Sequence, residues 1–187
     1  MVQWRNTEQS YGILAQALHW VVAALVFLQL GLGLYAASLP LGIARLQWLS
    51  RHKALGLAVL VLTLLRLGWR FVSPPPALPQ SMSSPERLAA LLTHRLLYVL
   101  LLLAPLAGWL YASAAGLSVN WFGLLRVPDL VPKSANWAET FKALHKGSVV
   151  LLALLLAGHV GATLRHSLVL RDGIAGRMLP GKRRSSP

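Results

Sequence analysis

FKALHKGSVVLLALLLAGHVGATLRH, residues 141–166, holds no charged side chain between Lys146 and Arg165 and carries a histidine near each end, His145 and His159. A helix needs ~20 predominantly apolar residues to cross ~30 Å of hydrocarbon, so the run from Phe141 to Leu164 reads as a membrane span. An ionisable ring inside such a span is costly unless it is used. Fourteen residues separate the two histidines. That spacing leaves them ~21 Å apart along the axis and about 40° apart in azimuth, on nearly one face.

Three further apolar stretches precede this one, approximately 12–39, 54–72 and 88–112, and the residues after 164 form a basic tail over 165–187. The expectation is an all-α membrane protein, a single four-helix transmembrane domain over 1–187. Pro40 closes the first stretch and Ser73-Pro74-Pro75-Pro76 the second, while Ser84-Pro85-Glu86 reads as an N-cap with proline at the first helical position. Asn136 followed by Glu139 has the spacing of a capping box, so the fourth helix is expected to begin in water. Pro105 predicts a kink in the third.

Composition agrees: 56% of the 187 residues are hydrophobic and 12% charged. The net charge of +13, from 18 Lys and Arg against 5 Asp and Glu, would suggest nucleic acid in a soluble chain. Here the basic residues cluster between apolar runs, where they meet lipid headgroups, and nucleic acid is set aside. Eleven basic residues lie on the side of the two termini and seven on the other, which places both termini in the cytoplasm. The seven include Arg51, Lys53, Lys142 and Lys146, a patch able to steer an anion. With no cysteine in the chain, thiolate ligation and covalent haem attachment are excluded, so any metal falls to histidine. Trp20, Trp48, Trp69, Trp109, Trp121 and Trp137 are expected to form interfacial belts.

The histidines fall into levels. His52, at the start of the second stretch, is level with His145, and His19, about seven residues into the first helix, is level with His159. Two imidazoles facing each other across a bundle suit a flat macrocycle with one axial ligand on each side, a bis-histidine haem b that carries electrons. Gly31, Gly33, Gly56, Gly158 and Gly161 leave room for a ring beside the ligands. Arg66, fourteen residues after His52, is placed to meet a haem propionate. His94 lies at nearly the depth of His19, so geometry alone leaves three histidines for two places at that level. His166, one heptad after His159, stands at the membrane edge, a candidate for proton transfer to a quinone.

At these residues the chain resembles the bacterial cytochrome b561 family. The matching phrases are Leu18-His19-Trp20; His52-Lys53-Ala54-Leu55-Gly56 through Arg66 and Trp69-Arg70; His94 through Tyr98 to Pro105 and Gly108-Trp109; and Leu144-His145 through His159 to His166. The resemblance spans nearly the whole chain. It implies two non-covalent haems b, quinone-linked electron transfer and a bacterial cytoplasmic (inner) membrane location. It also implies ligands from helices one, two and four: His52 with His145 for one haem, His19 with His159 for the other, His94 left over. One branch of the family oxidises superoxide at the outer face and reduces ubiquinone, and the basic patch would suit that anion. Lys146 stands where that branch is expected to carry an acidic residue.

The leading expectation is therefore a stand-alone transmembrane electron carrier, with superoxide or another small donor, a quinone acceptor, lipid around it and no obligatory protein partner. An alternative is a haem-bearing anchor subunit for a membrane-bound dehydrogenase or hydrogenase. A haem-free proton or metal carrier using the same histidines is the third reading.

Overall fold

In a computed structural model, which describes residues 3–78 and 82–179, four long helices run in chain order: α1 (Ile13–Ser38), α2 (Ile43–Val72), α3 (Ser84–Ala114) and α4 (Ala135–Leu164). All four are long and apolar enough to span a membrane. A short antiparallel hairpin, β1 (Val119–Trp121) with β2 (Leu125–Val127), interrupts the α3–α4 connection. The residues after α4 form a π-helical segment, Arg165–Leu170, and a 3-10 turn, Ala175–Met178. Residues 180–187 of the expected basic tail lie outside the described part.

The helices outrun the apolar stretches. α2 begins at Ile43 instead of residue 54, because its first turns, with Arg45 and Arg51, stand beyond the hydrocarbon, where hydropathy sees nothing while backbone bonding continues. α4 starts at Ala135, and its N-cap is Ser134, whose hydroxyl accepts from the Trp137 N–H at 3.4 Å; Asn136 lies inside the helix and Glu139 pairs with Lys142 at 3.1 Å. The cap of α3 is Ser83, one residue before the expected Ser84, in a capping box with Glu86. Pro105 lies inside α3 as expected.

Lipid tails are as apolar as leucine, so helix association here depends on close packing more than on escape from water. Small side chains supply it. Ala104, Ala107, Ala112, Ser113 and Ala114 of α3 are buried, as are Ala138 and Ser148 of α4, and these two helices make the closest packed pair. α1 packs on α2, and α2 on α3. Among the described residues α4 has at most incidental backbone packing against α1 or α2, which leaves a seam between α4 and that pair. At mid-height a layer of Val22, Val26, Val59, Leu97, Leu100, Leu101 and Leu152 joins all four helices across the interior.

The two ends of the bundle are built differently. At the terminal end, Asn6 bonds to Ser73 and Pro74, its side chain also accepting the Gly12 N–H, while the Arg177 carbonyl accepts from Tyr11 and Gln16. The Trp20 indole donates to the Met178 carbonyl at 2.9 Å. At the other end the hairpin covers α2 and α3.

Candidate haem centres

The histidines meet at two levels, His52 with His145 across the seam between α4 and the α1–α2 pair, and His159 with His94 between α4 and α3. At the hairpin end the rings of His52 and His145 lie 6.2 Å apart, centroid to centroid. Two metal–imidazole bonds of ~2 Å plus a ring radius of ~1.1 Å on each side give about 6 Å, so one iron between them accounts for the gap. The Nδ1 of His145 lies 2.8 Å from the Ala104 carbonyl. A carbonyl only accepts, so Nδ1 carries the proton and Nε2 keeps its lone pair for a metal. Ala104 immediately precedes Pro105, so this contact sits at the proline of α3.

Glycines flank both rings. A Cβ added at Gly33 of α1 would stand 3.1 Å from Cε1 of His52, and one at Gly108 of α3 would stand 3.1 Å from Cε1 of His145. Gly56 faces the Gln29 amide, which donates to the His52 carbonyl at 2.9 Å and thereby ties α1 to the ligand turn of α2. Gly31, Gly158 and Gly161, expected to make room beside a ligand, adjoin open space instead. Gly108 is the contact that glycine counting missed; its place three residues after a helical proline was the available signal.

The terminal end holds three histidines. His159 lies edge-on to His94 with centroids 5.3 Å apart, and His19, stacked edge-on against Trp20 at 5.2 Å, is within electrostatic reach of His159, His94 and Arg66. Their exposure separates them: His19 and His159 are half-buried, like His52 and His145, whereas His94 is exposed. Among the described residues, the buried Nδ1 atoms of His19 and His52 have no hydrogen-bond partner.

Arg66 lies at this level with its guanidinium 5.3 Å from the Tyr98 ring, and Arg70 reaches the same ring at 5.8 Å. Tyr11 completes the cluster. Burial pushes its phenol up, and the Arg70 and Arg66 charges pull it back only in part. Two guanidinium groups stand around two phenols with no carboxylate among them, so the cluster carries uncompensated positive charge. Tyr11 was not singled out in the sequence, and Arg70 only within the Trp69-Arg70 phrase, because their convergence comes from the fold of the terminal segment.

His166 sits in the π-helical segment, and its Nδ1 lies 2.5 Å from an Asp172 carboxylate oxygen. Partial burial pushes the Asp172 carboxyl up, but the Ile174 N–H and the His166 ring more than offset this and hold it below the usual carboxylate range. Of the basic patch, Lys53 donates to the Ser118 carbonyl at 2.7 Å, Arg51 stacks on Trp48 at 4.4 Å, Lys142 pairs with Glu139, and Lys146 is exposed.

Facing histidine pairs in a helical bundle, one ring held in its ligating tautomer, define a membrane haem protein of the cytochrome b class. A model of the prokaryotic cytochrome b561 family matches residues 10–181, and the chain belongs to that family. It is 32% identical over 185 residues to cytochrome b561 homolog 2 of Escherichia coli, covering 95% of each chain. It is 32% identical over 181 residues to a cytochrome b562 of Cereibacter sphaeroides, covering 92% of this chain and 96% of that one. A protein named probable superoxide oxidase CybB, of Yersinia pestis, is 28% identical over 178 residues, covering 94% and 99%. The family implies haem b and electron transfer in the bacterial inner membrane, a setting the four apolar helices fit.

Proposed function

We propose that the chain binds two haems b, one at each level of the bundle, and passes electrons from a small donor at the hairpin end to ubiquinone at the terminal end, with both termini cytoplasmic. The observation that carries this reading is the His52–His145 pair, 6.2 Å apart across a seam the helices leave open, with His145 oriented by the Ala104 carbonyl. His19 and His159 would hold the second haem, and Arg66, with Arg70, its propionates. Bound haem would supply a one-electron store at each level.

The protein's own residues do the rest. Gly33 and Gly108 keep the ligand rings close to their helices, and the mid-height layer of Val59, Leu100 and Leu152 excludes water between the two levels. On α1 an apolar groove of about 410 Å³, lined by Ile13, Gln16, Ala17, Trp20 and Val21, opens toward lipid one ring away from His19. A quinone headgroup entering from the bilayer would meet this apolar face of α1 first. His166, held by Asp172, is suited to hold and deliver the protons a reduced quinone needs.

Superoxide is the donor we favour. It is a small anion; the hairpin end carries seven basic residues against two acidic, 7 − 2 = +5; and one relative bears the name superoxide oxidase. The balance is complete: two superoxide ions give up one electron each and leave as dioxygen, and one quinone takes two electrons and two protons to become a quinol. The test is a dithionite-reduced minus oxidised spectrum with a haem-to-protein ratio for wild type, His94→Ala and His159→Ala. Two haems per chain, kept without His94 and halved without His159, is the expected result. A chain without a haem band, or a ratio that falls with His94→Ala and not with His159→Ala, would overturn it.

A further inference from the structure

The hairpin between α3 and α4 is built against expectation for a loop in water. Its turn closes with the Leu124 N–H on the Trp121 carbonyl at 3.0 Å, and both central residues have positive φ, Phe122 at 51° and Gly123 at 76°. That geometry belongs to type I′ turns, whose first central residue is usually Asn, Asp or Gly. Here it is a phenylalanine in the left-handed region, where a bulky side chain is disfavoured. The ring is also 53% exposed, with Leu124 at 84% and Leu125 at 58% beside it. In water both features are unfavourable, backbone and side chain alike.

The depth of the hairpin resolves this. Its inner face, Val119, Val127 and Trp121, packs on Ala112 and Trp109 of α3 and on Leu57 of α2, and Lys53 holds its root through the Ser118 carbonyl. Leu57 is five residues further into α2 than His52, and Trp109 is five residues in from the end of α3. The hairpin thus folds back along the bundle to the level of the His52–His145 pair. α4 continues ten residues beyond His145, ~15 Å further out. Segments at that level lie against lipid, and the exposed apolar side chains of the hairpin, Phe122, Leu124 and Leu125, are gathered at its tip, while its outward strand pair is the polar Asn120 and Arg126.

We propose that the tip Phe122–Leu125 is inserted into the headgroup–acyl boundary of the leaflet at the hairpin end, where it acts as a membrane anchor for the cover over the His52–His145 level. Transfer of the Phe122 ring and two leucines from water to lipid offsets the turn strain that holds them outward. Lys53, adjacent to His52, links the anchored cover to the ligand turn.

The absence of cysteine makes the test direct. Single cysteines replacing Leu124, Leu154 and Asn136 are spin-labelled in the full-length protein in phosphatidylethanolamine–phosphatidylglycerol vesicles, and collision with oxygen is compared with collision with a water-soluble nickel chelate. Leu154, mid-helix and 66% exposed, is the lipid reference; Asn136, in the first turn of α4, is the water reference. The Leu124 label should collide with oxygen several-fold more, relative to nickel, than the Asn136 label. Adding Phe122→Asn, which keeps a residue tolerant of positive φ but removes the ring, should move it toward the Asn136 value. A Leu124 label that matches Asn136, or one shielded from both reagents as under a protein partner, would overturn the proposal.

Discussion

A backbone carbonyl beside a helical proline and a glycine three residues further on set the chemistry of one histidine. The Ala104 carbonyl orients His145, and Gly108 gives its ring clearance, so Gly108→Val should displace the ring and break the 2.8 Å hydrogen bond. The expected outcome is a fall in haem content per chain, from two toward one on the di-haem proposal, read by pyridine haemochrome assay against protein. If His166 supplies the protons of a reduced quinone, His166→Ala should slow quinone reduction about 100-fold while dithionite still reduces all the haem. Asp172→Asn should reproduce part of that loss. The depressed Asp172 carboxyl also adds stability that is complete above about pH 4 and is lost as pH falls through its folded value. Proteolysis of the 165–178 segment should therefore speed up in acid in the wild type and respond less in Asp172→Asn. At this scale the sequence was informative about His145, His159 and His52, since depth and the fourteen-residue spacing depend only on helix geometry. It was silent about Ala104, Asp172 and Tyr11, because a carbonyl acceptor or a folded-back partner has no signature in the linear chain.

Helix cores were legible because one long apolar run per span leaves little choice, whereas helix ends were not. α2 begins eleven residues before its apolar run, and Ser83 and Ser134, rather than Ser84 and Asn136, supply the caps, since several neighbouring Ser and Asn residues satisfy the same pattern. The hairpin lies between the last two apolar stretches, where hydropathy marks no element, although Val119-Asn120-Trp121 and Leu125-Arg126-Val127 around Gly123 carry a strand signal. Its attachment is a prediction at this scale. Lys53→Met removes the donor to the Ser118 carbonyl, a charged hydrogen bond worth about 1.5 kcal/mol. Amide exchange over Val119–Val127 should then quicken roughly tenfold, with α1 and α4 unchanged.

Across the whole molecule, charge is concentrated at the two ends and absent between them. The +5 end is not a uniform cationic surface. Lys142 is paired with Glu139, and Arg51 and Lys53 are stacked or bonded, though both keep their charge. Lys146, exposed and beside His145, is the cation best placed to act on an approaching anion. If superoxide is the donor, its oxidation should slow severalfold between 0.01 and 0.3 M salt as the Debye length contracts from ~30 Å to below ~8 Å, and Lys146→Gln should flatten that dependence.

The fourteen residues between His145 and His159 carry one more consequence, which concerns voltage. With haem at both levels, an electron passing between them crosses ~21 Å of a ~30 Å barrier, about 0.7 of the membrane field. At ~2.3 kcal/mol per charge per 100 mV, that passage involves ~1.6 kcal/mol of electrical work for each 100 mV. With the terminal end on the negative, cytoplasmic side as proposed, an energised membrane opposes the electron's inward movement. The protein would then work as a rectifier whose throughput rises when the cell depolarises, and a potassium–valinomycin diffusion potential imposed on proteoliposomes should slow reduction of the terminal-end haem in proportion.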